Sequence, residues 1–77
     1  MRKKYVSVNV EVNEEGKIKP LSLVFDDVRY EIDRILDVRQ APNFNVGGFG
    51  IRYTIRVNGI KTTLWEEQGR WYVESKI

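Results

Sequence analysis

The sequence contains no cysteine and no histidine. Without cysteine the chain can form neither a disulfide nor a thiolate zinc site. Without histidine it lacks the most common general acid–base group and metal ligand. Its acidic pairs fall at turns or at neighbouring strand positions, whose side chains point to opposite faces and do not converge. The composition predicts a protein that is not an enzyme and that uses no metal and no cofactor.

Long apolar runs are also missing. The basic start of the chain, MRKK, is followed by valines that alternate with polar residues, whereas a signal peptide would continue as an uninterrupted apolar segment. No stretch approaches the roughly 20 apolar residues that cross a membrane as a helix. Together with the absence of cysteine, which suits a reducing compartment, these features predict a cytoplasmic protein.

The chain of 77 residues predicts a single domain over residues 1–77. A domain this small buries only about 60–65% of the surface that its unfolded chain exposes. Its stability must therefore come from the core alone or from a partner, including a second copy in a homodimer. The net charge is +2, from 13 basic and 11 acidic residues, so a polyanion site would have to be a local cluster of cations.

Apolar and polar residues alternate along most of the chain, as in half-buried strands. The first predicted strand, Tyr5–Val12, places its valines on one face. The second is Lys17–Phe25, in which Pro20 cannot donate a ladder hydrogen bond and so predicts a bulge or an edge position. The residues Asn13–Gly16 and Asp26-Asp27 are predicted as turns.

The segment Val28–Arg39 is ambiguous between helix and strand. Its apolar residues fit a helical stripe that Asp27 could cap. They also fit a strand face on which only Arg34 is out of place, and the alternation favours this strand. The segment that follows is the longest predicted loop, and loops often carry binding residues.

The last third of the chain has the clearest pattern. Asn58-Gly59 and Gln68-Gly69 each fit a two-residue hairpin turn, in which both residues adopt positive φ. Two such turns join three strands into a meander and determine which residues lie opposite each other. The predicted pairs are Val57 with Ile60, Ile55 with Thr62, Tyr53 with Leu64, Arg52 with Trp65, Arg56 with Lys61, and Trp65 with Tyr72.

Glycines cluster just before this meander, in the sequence GGFG at Gly47–Gly50. A phosphate-binding loop would need a following Lys-Ser/Thr and a helix, whereas a strand follows here. The glycines are therefore predicted to permit a bulge or a close approach of the backbone.

These elements predict an all-β fold, most simply a five- or six-stranded antiparallel barrel or roll of the SH3-like kind, because closure removes exposed edges. Trp71 is expected to seal one end of the barrel. The predicted core consists of Val6, Val8, Val10, Leu21, Leu23, Tyr30, Ile32, Leu36, Ile51, Tyr53, Ile55, Leu64 and Val73.

Three segments, KPLSLVFDDVRYEIDRILDVRQAP, GGFGIRYTIRVNG and LWEEQGRWYVE, resemble in their order a family of short uncharacterised bacterial all-β proteins. The match covers Lys19–Glu74. A fainter similarity is to the small β domains associated with translesion DNA polymerases. The resemblance implies a strand at Val28–Arg39 and supplies no catalytic residue, because the family has no assigned activity.

The predicted register places cations and aromatic rings together on the meander face opposite the core. This combination is how β-barrels bind single-stranded nucleic acids, with cations on phosphates and rings stacked on bases. The same cross-strand pairs can also stabilise a sheet that binds nothing. The candidate nucleic-acid-binding residues are Arg52, Arg56, Lys61, Trp65 and Tyr72.

A protein-binding role is the alternative. It would use the loop Gln40–Gly48, with Phe44 exposed, or an open sheet edge to which a partner adds a strand. Self-association through such an edge would also help so small a core.

Overall fold

The computed structural model describes residues 2–42 and 49–75 of the chain. These residues form an antiparallel sheet of seven strands. In this part of the chain there is no helix of the length and apolarity needed to cross a membrane. The strands are β1 (Arg2–Val12), β2 (Ile18–Phe25), β3 (Val28–Glu31), β4 (Arg34–Pro42), β5 (Phe49–Val57), β6 (Ile60–Glu67) and β7 (Arg70–Ser75).

The sheet is strongly curled into a half-barrel. Its strand order is β3-β2-β1-β7-β6-β5-β4, so β3 and β4, although consecutive in sequence, form its two edges. Between them, Ile32 N donates to Leu21 O of β2 over 3.0 Å, and Asp33 N donates to Arg56 O of β5 over 2.8 Å. This short link therefore bridges the two ends of the sheet and imposes the curl.

The all-β class is confirmed, and the predicted count of five or six strands is corrected to seven. The ambiguous segment Val28–Arg39 is extended, as favoured, but it contributes to two strands. At Ile32 and Asp33 the chain changes partners, from β2 to β5. The alternation of side chains alone does not report which strand a residue pairs with, so the sequence did not reveal this break.

β1 pairs with a different strand along each half of its length. Its residues Arg2–Val6 pair with β7, and Ser7–Val12 pair with β2. Each half of this strand therefore has a paired edge and a free edge within the described sheet. The strand holds the β1–β2–β3 part of the sheet against the β4–β7 part, and the core lies between them.

The predicted hairpin turns are confirmed. Asn58 and Gly59 have φ values of 51° and 76°, and Gln68 and Gly69 have 52° and 82°. Positive φ at both central residues gives the turn the twist that antiparallel strands need. The observed register is the predicted one at every pair named above. The pair Asp26-Asp27 forms a third turn of this type, with φ values of 51° and 64°.

Three residues predicted as core are exposed: Val10 at 39%, Leu21 at 40% and Leu36 at 44%. Leu21 and Leu36 are extra residues in β-bulges, where the pairing register shifts and the side chain is re-aimed. The first bulge lies next to Pro20, as that proline predicted. Val10 lies in the half of β1 that extends beyond β7, so fewer strands cover it.

The observed core is centred on the meander. Ile55 and Leu64 are 0% exposed, and Leu23 and Tyr53 are 6% exposed. Trp71 packs against this cluster, with its ring centroid 5.2 Å from that of Tyr53. The remaining predicted core residues are partly buried against the same cluster: Val6, Val8, Tyr30, Ile32, Ile51 and Val73.

The substitutions Leu64→Ala and Leu36→Ala remove the same side-chain atoms, from a buried core position at Leu64 and from an exposed position at Leu36. We expect Leu64→Ala to lower the free energy of unfolding by about 2–5 kcal/mol, because it leaves a cavity in the closed core. Leu36→Ala should cost less than about 1 kcal/mol, because its side chain is half in solvent. Urea denaturation followed by tryptophan fluorescence measures both, and equal losses would contradict the observed core.

Candidate nucleic-acid interface

The outer face of the sheet carries a row of three cations. Arg34 of β4 lies opposite Arg56 of β5, and Arg56 lies opposite Lys61 of β6. Directly opposed residues share a face, with their Cβ atoms about 4.5–5.5 Å apart. All three side chains are exposed. We call Arg34, Arg56 and Lys61 the cation row.

No member of the cation row forms an ion pair in the described part of the chain. The ion pairs there join Lys4 to Asp26, Arg29 to Glu31, and Arg39 to Asp37. Asp33, the acidic residue next to Arg34 in sequence, instead accepts a hydrogen bond from the backbone N of Gly59. Like charges placed opposite each other on a sheet are destabilising, so the row is a local excess of positive charge.

The sequence predicted two members of this row, Arg56 and Lys61, and missed Arg34. As part of one continuous strand, Arg34 was an outlier in the apolar face. Further along β4, Arg39 Nε and Asp37 Oδ2 form an ion pair at 2.6 Å. The strand break at Asp33 and the bulge at Leu36 together place Arg34 on the outer face.

The predicted aromatic residues lie in another row of the same face. Trp65 of β6 lies opposite Tyr72 of β7, which lies opposite Tyr5 of β1. The rings of Trp65 and Tyr72 are nearly parallel, with centroids 6.1 Å apart and an angle of 4°. Tyr5 meets Tyr72 edge-on at 5.9 Å. These three residues form the aromatic row.

Two cations cover the end of the aromatic row. Lys3 Nζ lies 4.6 Å from the ring centroid of Tyr72, and Arg70 Cζ lies 3.8 Å from that of Tyr5. Such contacts are worth roughly 0.5–1 kcal/mol each at an exposed site. Neither cation was a predicted site residue. Here they pack on aromatic rings of the protein itself.

This packing buries Trp65 to 7% exposure and Tyr72 to 1%. A base can stack only on an open ring face, and the neighbours of Tyr72 occupy both of its sides. The sequence left open whether these rings are accessible; in the structure Trp65 and Tyr72 form a packed pair on the outside of the sheet, whereas Tyr5 is 43% exposed. Arg52, opposite Trp65, is half-buried, whereas Arg56 and Lys61 are exposed.

Burial of the aromatic row also encloses polar atoms. The Tyr72 hydroxyl, Arg52 Nε and Glu67 Oε2 are buried with no hydrogen-bond partner in the described part of the chain. Burial, with smaller contributions from Glu67, Glu74 and Tyr5, raises the pKa of Tyr72 to about 12. The neutral phenol is thus strongly favoured in the folded protein.

Gly50 explains how β5 and β6 approach beside Trp65. A Cβ atom at this position would lie 3.0 Å from the backbone oxygen of Glu66 and 3.6 Å from Trp65 Cε3. This is the close backbone approach that the glycine-rich sequence predicted, here shown for Gly50. Gly47 and Gly48 lie outside the described residues.

Two other predictions concern this region. Phe44, the candidate protein-binding residue, lies outside the described residues, whereas the first residues of its predicted loop, Gln40–Pro42, belong to β4. In the described ranges no group of three or more acidic residues converges in a way that could hold a metal ion.

Comparison of the chain with protein-family profiles, with curated proteins and with solved structures found no match in any of the three. The resemblance to short bacterial β proteins therefore stays a prediction.

The substitution Tyr72→Phe tests the enclosed hydroxyl. Removing a buried hydroxyl that lacks a partner should raise the free energy of unfolding by up to about 1 kcal/mol near neutral pH. Because the pKa of Tyr72 is higher in the folded than in the unfolded protein, this difference in pKa stabilises the folded protein. The stabilisation is fully present below pH 10.0 and is lost as pH rises toward about 12. The variant should therefore lose less stability over that interval than the wild type.

Urea unfolding at neutral pH and at several alkaline pH values measures both effects. Tyr53→Phe is the control for the alkaline effect, because burial and Glu66 raise the pKa of Tyr53 as well. A neutral-pH loss of more than about 1 kcal/mol in Tyr72→Phe would show instead that the hydroxyl makes a stabilising hydrogen bond.

Proposed function

We propose that the protein binds nucleic acid through its phosphate backbone, with the cation row as the main contact. One observation carries the proposal: Arg34, Arg56 and Lys61 lie directly opposite one another across three strands, and none of them forms an ion pair among the described residues. The protein tolerates this unfavourable placement of like charges. A polyanion would neutralise it and release its own counterions, which is the main driving force of non-specific binding.

The direction of the row determines how a strand of nucleic acid would lie. Adjacent β-strands are about 4.8 Å apart, so the cation row extends across β4, β5 and β6 rather than along any of them. Long, flexible side chains at these positions can follow successive phosphates. The nucleic acid would therefore run across the strands of the outer face. Arg52, half-exposed on the same face, adds a further positive charge beside this path.

The aromatic row has a supporting role in this proposal. Trp65 and Tyr72 are buried against each other, so in this proposal they do not stack on bases. Their packing supports the sheet that carries the cation row. Binding should accordingly depend weakly on base sequence, since phosphate contacts carry no sequence information. This differs from the sequence-based hypothesis, in which both rings served as stacking platforms.

We also infer that the half-barrel belongs to the SH3-like class of small barrels. The inference is supported by the link between β3 and β4, which hydrogen-bonds to β2 on one side and to β5 on the other. The partner exchange of β1, from β7 to β2, supports it at the opposite corner. Strands that bend and change sheets in this way form the corners of orthogonally packed sheets.

The variant Arg34→Gln/Arg56→Gln/Lys61→Gln tests the cation row. Titrating labelled single-stranded and double-stranded DNA and RNA by fluorescence anisotropy, at several salt concentrations, measures its effect. We expect the wild type to bind in the micromolar range at low salt. The slope of log K against log salt should become shallower by about 2 in the variant, because each phosphate contact on a single strand contributes about 0.7.

The matched control is Lys17→Gln/Lys19→Gln/Arg29→Gln, which removes the same charge from exposed positions on β2, β3 and the turn before β2. If both triple variants lose affinity equally, overall charge and not the cation row drives binding. If the wild type binds none of the four nucleic acids at low salt, the proposed function is wrong, and protein partners become the remaining class.

The substitution Trp65→Phe tests whether Trp65 stacks on bases of the nucleic acid or only packs within the protein. We expect it to lower the free energy of unfolding by about 1–3 kcal/mol, because it removes part of a buried ring. Its nucleic-acid affinity, measured by the same anisotropy titration well below its unfolding temperature, should stay within about twofold of the wild type. A loss near the ~1–3 kcal/mol typical of a stacked base would restore Trp65 as a contact residue.

A further inference from the structure

β4 is an open edge of the sheet. It is the last strand in the sheet order and pairs with β5 alone among the described strands. Its nine residues carry Leu36 and Val38 at 44% and 50% exposure, although Val38 lies opposite the core residue Tyr53. A long edge with exposed apolar side chains is a template for pairing with another strand. Soluble proteins normally cover or charge such an edge.

The charges on this edge are self-complementary. Asp37 and Arg39 flank Val38 and lie on the outer face, opposite Thr54 and Arg52 of β5. An antiparallel copy of β4 centred on Val38 would bring Asp37 of each copy opposite Arg39 of the other. The two Val38 side chains would then meet on the two-fold axis. Each Leu36 would face Gln40 of the second copy.

We propose that the protein forms a symmetric homodimer by antiparallel pairing of β4 with β4 of a second copy, with the two-fold axis at Val38. This is an isologous interface, in which the same patch is used by both copies. In the single chain, Arg39 Nε and Asp37 Oδ2 are 2.6 Å apart. In the dimer each of these groups gains an opposite charge across the interface. Such pairs contribute modest energy but fix the register of the strands.

The other edge strand fits a second copy less well. β3 also carries an ion pair along its edge, between Arg29 and Glu31 at 3.1 Å. It has only four residues, however, and its central Tyr30 packs against the core. β3 therefore offers a shorter ladder and no exposed apolar residue at its centre. It provides a matched control for charge changes at β4.

A charge-swap experiment tests the register. In Asp37→Arg the interface would place arginines opposite each other, and in Arg39→Asp it would place aspartates opposite each other. We expect each variant alone to dissociate at least about tenfold more easily than the wild type, because like charges are opposed twice in each dimer. A mixture of the two variants restores opposite charges at both positions. It should form a heterodimer with near wild-type affinity.

Analytical ultracentrifugation without nucleic acid measures these dissociation constants. The control Glu31→Arg should dimerise like the wild type. The proposal is overturned if the wild type stays monomeric up to about 1 mM. It is also overturned if Glu31→Arg is the variant that dissociates, or if mixing the two β4 variants restores nothing. Because no nucleic acid is present, failure here leaves the proposed function untouched.

A cross-linking experiment covers the case in which a charge variant does not fold. The chain has no cysteine, so Val38→Cys introduces a single thiol on the two-fold axis, where opposed strand positions allow a disulfide. It should form a disulfide-linked dimer under mild oxidation. Gln40→Cys should not, because its two copies would be about 13 Å apart along the strands.

Intact mass and non-reducing gels report the cross-link, and Ile60→Cys, at the 68% exposed first residue of β6, gives the collisional background. Equal cross-linking of Val38→Cys and Ile60→Cys would overturn the proposed interface. Stronger cross-linking at Gln40 than at Val38 would overturn its register.

Discussion

The cross-strand register of the β5–β6–β7 meander is the constraint on which the rest of the structure depends. Two-residue turns with positive φ at Asn58-Gly59 and Gln68-Gly69 set it. A slip of one residue would turn every side chain of a strand to the other face. The same register places Tyr53 beside Leu64 in the core and Arg56 beside Lys61 outside. The residues that the meander contributes to the core, the aromatic row and the cation row are therefore positioned by the same two turns.

The outer face of this sheet is divided between two kinds of row. Along one row, Trp65, Tyr72 and Tyr5 pack against each other under Lys3 and Arg70, which leaves Trp65 and Tyr72 buried and Tyr5 43% exposed. A second row on the same face contains the exposed cations Arg34, Arg56 and Lys61, which lie opposite one another on neighbouring strands. A domain of this size has few apolar residues to bury, and using both faces of the sheet for packing is one way to gain area.

The segments that change pairing partners determine where the edges of the curled sheet lie. β1 and the β3–β4 segment each exchange partners at a corner, which curls the sheet but leaves β4 paired with β5 alone among the described strands. Bulges and charges usually protect such edges. β4 has a bulge at Leu36, yet Asp37 and Arg39 beyond it are arranged so that a second copy would match them. In the proposed dimer, such an edge would oppose random pairing and permit one symmetric pairing.

Local chemistry in the sequence determined the strand class, the turns, the meander register and the bulge beside Pro20, because alternation, glycine and proline act over a few neighbouring residues. Only tertiary structure decided that Arg34 joins Arg56, since the strand break at Asp33 depends on two partner strands that are distant in sequence. It also decided that Trp65 and Tyr72 are buried, because β1 supplies the Tyr5 and Lys3 that cover Tyr72. Between bulges and strand breaks, alternation shows which face a residue occupies. Whether that face is covered depends on contacts between segments far apart in the chain.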